Sequence, residues 1–262
     1  MDLGLKGKVA FVACSSKGLG KACAMELARE GAHVMISARN EDTLRQTAKE
    51  IREVATGEVS YIVCDILQPD AIIQAVQTTV AQFGTIDILV NNAGGPPAGS
   101  FDTFQDEDWL HAFELNLLSY IRFIREVLPY MKKQRSGRII NLASTSVKQS
   151  IPGLLLSNTF RTGIAGLSKS LSQELAAYNI LVNTVAPGRV ATDRIRYLDE
   201  TKANALGVPV EQVVEQSLQS IPLGRYGNVQ EFGKVVAFLA SDAASYMTGG
   251  TLFVDGGMVS SL

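Results

Sequence analysis

The stretch VAFVACSSKGLGKACAMELAREG, Val9–Gly31, decides how the rest of the chain reads. It opens on a short apolar run, Val9–Ala13, passes a turn holding Gly18 and Gly20, and continues as a helix over Leu19–Arg29. A strand that is apolar throughout must be covered on both faces, which is the condition of a strand in a parallel sheet. A glycine turn leading from such a strand into a helix leaves backbone N–H groups open at the helix N-terminus. There the aligned peptide dipoles favour an anion, phosphate above all.

The same alternation runs outward along the chain. Further strands are expected at Val34–Ser37, Val59–Val63, Ile86–Val90, Arg138–Leu142, Leu181–Val185 and Thr251–Val254. Helices are expected at Glu41–Val54, Ala71–Gln82, Thr159–Ala177 and Gln230–Ala240, and Asp106–Lys133 is long enough for more than one. Asp70 and Asn228 are the expected helix caps. Strand–helix alternation with short links predicts an α/β fold with a parallel sheet and helices on both faces. No linker, repeat or low-complexity segment divides residues 1–262, so one domain is expected. Residues 191–223 form an irregular insert with one amphipathic piece, Val210–Leu218.

Composition excludes several classes. The 262 residues carry 24 Lys and Arg against 26 Asp and Glu, a net charge of −2, which offers no general attraction for nucleic acid. A hydrophobic fraction of 46% is enough for one sizeable core and argues against disorder. His33, His111, Cys14, Cys23 and Cys64 have no metal-ligand spacing, so no metal is expected. No apolar run approaches the roughly 18–20 residues of a membrane helix. Three cysteines without an export signal fit a reducing compartment, the cytoplasm.

Taken in order, the motifs resemble those of the short-chain dehydrogenase/reductase family. Ala13–Gly20 resembles its TGxxxGxG turn. Asp65 follows the third strand, Asn91-Asn92-Ala93-Gly94 the fourth, and Pro187-Gly188 with Thr192 the sixth, while Gly249-Gly250 and Asp255-Gly256-Gly257 match the family's end. The resemblance covers about Leu5 to Gly257. It implies a doubly wound (Rossmann) sheet of about seven strands, a nicotinamide cofactor, and a homotetramer or homodimer paired through the long helices. It implies cofactor contacts from Ser15, Lys17, Gly18, Leu19 and Gly20 in the turn, from Asp65 and Ile66, and from Asn91, Ala93 and Gly94. Arg161, Pro187, Gly188, Val190 and Thr192 complete that set.

The cofactor's flavour follows from charge. Ala38 stands where a carboxylate would bind a ribose diol, and Arg39 beside it can fork onto a 2′-phosphate, with Lys17 as a second cation. NADP(H) is therefore expected. Cys14 replaces the family's first turn glycine, and its β-carbon suits a left-handed backbone poorly.

The catalytic positions depart further. Asn116 and Ser144 match the family's Asn and Ser. Its YxxxK pair aligns with Ser157 and Arg161, in a register fixed by Gly163, Gly166 and the following helix. Four-residue spacing keeps both on one helical face. A serine hydroxyl is a far weaker acid than a phenol, and a guanidinium stays charged and cannot shuttle protons. Lys148 is an alternative acid. The expectation is an NADP(H)-dependent oxidoreductase acting on a small carbonyl compound or its alcohol, with a 3-oxoacyl substrate as analogy. Ser144 and Ser157 would bind the substrate oxygen, Arg161 would hold the nicotinamide ribose, and the proton would come from water through Asn116. The alternatives are an NADPH-binding sensor or assembly subunit without catalysis, and a family-derived lyase with a halide pocket. Gly95–Ser100, Ser150–Leu156 and the insert would line the substrate pocket.

Overall fold

Seven parallel strands form one sheet in the order β3-β2-β1-β4-β5-β6-β7 in the computed structural model, which describes residues 2–261. They are β1 (Val9–Val12), β2 (His33–Ala38), β3 (Val59–Val63), β4 (Ile88–Asn91), β5 (Gly137–Leu142), β6 (Ile180–Pro187) and β7 (Thr251–Val254). The helices between them are α1 (Gly18–Arg29), α2 (Glu41–Arg52), α3 (Pro69–Phe83), α4 (Asp106–Phe113), α5 (Ser119–Gln134), α6 (Leu155–Glu174), α7 (Asp193–Leu206), α8 (Val210–Gln219) and α9 (Val229–Ala240). Every expected strand is present.

Alternation along the strands builds two cores. Ala10 and Val12 of β1 face α1, α2 and α9, while Phe11 and Ala13 face α3, α5 and α6. Phe11 packs on Phe123 at 5.2 Å between ring centroids. Each fully buried large side chain contributes about 1.5–3 kcal/mol. Helices α1 and α9 approach closely because Gly233 has no side chain: a Cβ there would lie 2.7 Å from the Ala22 carbonyl oxygen. Among the described residues, no helix is long and apolar enough to cross a membrane.

The chain order reverses between β1 and β4, which opens a crevice beyond their carboxyl ends. Four details near it differ from expectation. First, α3 starts at Pro69, preorganised for a first helical turn, so Asp70 lies inside that turn and Gln68 takes the cap position. Second, α6 starts at Leu155, four residues earlier than expected; the apolar run Leu154–Leu156 carries no capping signal, and Leu154 makes no side-chain cap. Third, the Asp106–Lys133 stretch is interrupted by a π-helical segment, Glu114–Leu118. Fourth, the insert holds a second helix, α7. Only Asp199 and Ala203 of α7 are buried, so it has no apolar stripe to read. The Asn228 cap of α9 stands, completed by Glu231 in a capping box.

Candidate active site

The glycine turn is held by backbone strain at one residue. Cys14 adopts φ +47°, and Gly18 adopts φ +57°. The Asn92 amide donates to the Cys14 carbonyl at 3.0 Å and holds that conformation. The expected obstacle at Cys14 is thus real but accommodated, at about 1–2 kcal/mol of left-handed strain. Gly20 is required by close approach, since a Cβ there would sit 2.5 Å from the Cys14 oxygen. Burial pushes the Cys14 thiol up to about 11, against the lowering field of Arg39.

Helix α1 opens on Lys17 without a side-chain cap and has no acidic residue in its first turn. Its N-terminal N–H groups therefore have no built-in anionic partner. Leu19 flanks them, half-buried. Ser15 does not belong to this set. It is fully buried, its Oγ donates to Val12 at 2.7 Å and accepts from Ser37 at 3.0 Å, and its own N–H is bonded to the Ser37 carbonyl at 2.9 Å. Ser15 stitches β1 to β2. Arg39 is exposed at the end of β2 and makes no ion pair among the described residues. Lys17 pairs with Asp193 at 3.2 Å, linking the turn to the first residue of α7. Asp65 accepts from Leu67 N–H at 3.1 Å with one oxygen, and Ile66 is buried behind it.

Three side chains from different elements fix the carbonyls of one strap, Ala93–Pro96, just beyond β4. Arg161 donates to Ala93 at 3.1 Å, Asn116 to Gly94 at 2.7 Å, and Arg194 to Pro96 at 2.6 Å. The π-helical segment carries Asn116, which is fully buried and whose Oδ1 has no protein partner. A Cβ on Gly94 would project into open space. Asn91, expected to touch cofactor, is instead interior: its amide donates to Asn141 at 2.9 Å, which donates to Ser168 at 2.9 Å beneath α6. This follows from its place inside β4, where it is fully buried.

Arg161 also departs from expectation. It is 5% exposed, and its guanidinium donates to the Tyr120 hydroxyl at 2.9 Å and the Leu142 carbonyl at 2.9 Å, besides Ala93. Two terminal nitrogens of the planar fork bond three oxygens on separate segments. Arg161 is therefore a clamp joining α6 to α5, β5 and the strap. Tyr120, fully enclosed, donates to Leu142 at 2.8 Å, and burial raises its pKa despite the neighbouring Arg161. Sequence reasoning passed over the Tyr120–Arg161 pair, because a buried partner on another helix leaves no local signal.

The hydroxyl of Ser144 caps a short turn after β5, accepting from Ser146 N–H at 3.2 Å, while Ser157 makes no side-chain hydrogen bond in the first turn of α6. Neither hydroxyl proton has an acceptor among the described residues. Lys148 is exposed without an ion pair and reads as a solvated cation. The two expected pocket walls are joined: Gly99 N–H donates to the Gly153 carbonyl at 2.7 Å, and Asn158 bonds both backbone groups of Ile151. Pro187 ends β6, and Gly188 follows it against Asp255, its N–H donating to the Val254 carbonyl at 3.0 Å. Val190 is buried in a bridge to Gly227, and Thr192 caps α7. Asp199 anchors α7 from below, accepting from Arg189 at 2.6 Å and Tyr226 at 2.9 Å.

The arrangement combines an open helix N-terminus, a pinned strap and two free hydroxyls at the carboxyl ends of neighbouring strands. Known proteins share the fold that carries it. A family model described as enoyl-(acyl carrier protein) reductase matches residues 13–259. The 3-oxoacyl-(acyl-carrier-protein) reductase of Thermotoga maritima is 36% identical over 255 residues, covering 97% of this chain and 99% of that protein. The L-sorbose reductase of Gluconobacter frateurii, solved with NADPH and L-sorbose, superposes with a TM-score of 0.94 at 31% identity over the full length of both chains. An NADPH-dependent reductase involved in bacilysin biosynthesis gives 0.92 at 31% identity, over 97% of this chain and 99% of that one. With its ordered motifs, its sheet and these relatives, the chain belongs to the short-chain dehydrogenase/reductase family.

Proposed function

We propose that the protein is an NADP(H)-dependent oxidoreductase that reduces a carbonyl compound, of 3-oxoacyl type by nearest analogy, or oxidises the corresponding alcohol, without a phenol in its proton path. The observation that carries this reading is the pair of hydroxyls, Ser144 and Ser157, whose protons have no protein acceptor at the crevice. The residues present fit the cofactor. The open N-terminus of α1 suits a diphosphate, the open side of Gly94 leaves room beside the strap, and unpaired Arg39 suits a 2′-phosphate.

When bound, NADPH supplies the hydride. Ser144 and Ser157 donate hydrogen bonds to the substrate oxygen and stabilise the negative charge that develops there. Neither is acidic enough to give up a proton near neutral pH. The buried Oδ1 of Asn116, unpartnered among the described residues, would hold a water that relays a proton from bulk solvent to the substrate oxygen, so that no hydroxide is left in the site. Arg161 fixes the strap and places a positive potential behind the site, rather than grasping a ribose. Thr192 and the α7 lid close over the crevice. A second reading, cofactor binding without turnover, draws on the engagement of Arg161 with three protein oxygens. Titration with NADPH and NADH, followed by a carbonyl panel, separates the two: turnover supports the enzyme, while tight binding with no turnover supports the sensor.

The proposed assembly is a homodimer or homotetramer. An apolar groove of about 410 Å³ on α5 and α6, lined by Ile121, Ile124, Leu128, Leu167 and Leu171, supports pairing through those helices. The exposed Phe253 of β7 supports a second contact near Gly256-Gly257.

A further inference from the structure

Arg194 has no role in the reading above beyond its bond to the strap. It lies in the first turn of α7, and its guanidinium rests directly on Gly95: a Cβ there would come within 2.8 Å of both Nε and Nη2. Nη2 donates to Pro96 at 2.6 Å, and the guanidinium carbon sits 5.5 Å from the Tyr197 ring centroid. Nε and Nη1 have no protein acceptor. No carboxylate lies within ion-pairing distance of Arg194 or of Arg161 among the described residues. The nearest acid in sequence, Asp193, is turned to Lys17. Burial lowers the pKa of Arg194, and the positive field of Arg161 adds to it against the raising influence of Tyr197.

Two partly or fully buried cations beside one strap, with no anion of the protein's own, are costly unless a ligand uses them. We propose that Arg194, backed by Arg161, selects a substrate carrying a carboxylate close to its carbonyl, a 2-oxo or 3-oxo acid rather than a neutral ketone. This rests on the oxidoreductase reading and names the substrate class of that site. Geometry favours the substrate over the cofactor diphosphate as the anion. Arg194 is bonded on the Pro96 side of the strap, where Gly95–Ser100 meets the Ser150–Leu156 wall, whereas the open N–H groups lie at the start of α1. Nη2 spends one hydrogen on Pro96, and its second, together with the hydrogen of the neighbouring nitrogen on that edge, can grip a carboxylate with two charge-assisted bonds.

The test uses the full chain, with phenylpyruvate and its methyl ester as probes and Arg194→Gln and Arg194→Lys as variants. Turnover is read as kcat/KM, and binding as the change in fluorescence of protein-bound NADPH. The acid should be preferred over the ester by at least about tenfold, the worth of one charged hydrogen bond. Arg194→Gln should abolish most of that preference while NADPH affinity stays unchanged. Arg194→Lys, which keeps the charge, should retain part of it and show that the fold tolerates the site. Equal use of acid and ester by the unaltered protein overturns the proposal. So does a loss of NADPH affinity in Arg194→Gln with the acid preference intact, which would assign Arg194 to the diphosphate. If the protein binds NADPH but turns over neither probe, the binding arm decides: Arg194-dependent binding of the acid over the ester upholds the anion site, and equal binding refutes it, while the oxidoreductase reading itself fails only if the whole carbonyl panel is left unreduced.

Discussion

A cation and a carboxylate at the end of β2 read opposite cofactors. Arg39→Asp removes a partner of the 2′-phosphate and adds repulsion, so NADPH should weaken by about 10–100-fold while NADH changes little. Fluorescence titration checks this, and equal losses would remove Arg39 from the phosphate site. The clamp at Arg161 sets a second contrast. Ser157→Ala forfeits one neutral hydrogen bond, about 0.5–1.5 kcal/mol of transition-state stabilisation. Arg161→Ala leaves the Ala93 carbonyl without its clamp and frees the strap, so it should lower kcat/KM further and destabilise the fold by about 2–4 kcal/mol. Complete loss of turnover in Ser157→Ala with NADPH affinity intact would instead make Ser157 the essential acid. Cys14 supplies a pH dependence. Burial holds its thiol neutral, raising the pKa from 9.0 to about 11. The folded state thus keeps this contribution in full below pH 9.0 and loses it as the pH climbs toward about 11. Alkylation of Cys14 by iodoacetamide, followed by mass spectrometry, should be slow at neutral pH and accelerate only in that alkaline window; rapid labelling at neutral pH would contradict the buried, neutral thiol.

Among the elements, α7 has little core of its own. It buries only Asp199 and Ala203, and Asp199 is held by Arg189 and the Tyr226 hydroxyl. Asp199→Asn removes the charge that Arg189 neutralises, at a cost of about 2–4 kcal/mol for a partly buried pair. Limited proteolysis should then cut within residues 191–223 faster than in the unaltered protein, with a raised KM; unchanged cleavage would show that the lid is anchored elsewhere. This helix also marks where sequence legibility stopped. The strands were readable because each is an apolar run under helices on both faces, and α9 was readable from its Asn228 cap. Helix α7 has no apolar stripe, and the early start of α6 hides in an uncapped Leu run. The site divides the same way. Gly18, Gly20, Asn116 and Ser144 stand on the elements that motif order assigned them, and so do Ser15 and Asn91, but the side chains of the last two serve interior hydrogen bonds that no spacing reveals. The clamp role of Arg161 and the presence of Arg194 depend on oxygens brought together from distant segments.

At the scale of the whole molecule, the sheet's switch point gathers every element of the site at one edge, and the opposite faces of α5 and α6 are left apolar. Light scattering at micromolar concentration should therefore give the mass of a dimer or tetramer, and Leu128→Asp in the groove should reduce it; a monomeric unaltered protein would contradict the assembly. On the proposed reading, this fold transfers hydride between NADP(H) and a carbonyl carbon although Ser157 and Arg161 replace the family's phenol and amine. The most direct measurement is the pH dependence of NADPH oxidation at 340 nm with a carbonyl substrate found in the panel. With water as proton source and no titrating protein acid, kcat should show no break attributable to a protein phenol or amine near neutrality. Turnover confined below a single protein pKa and abolished by one side-chain substitution, or NADPH binding without oxidation across the whole panel, would contradict the account.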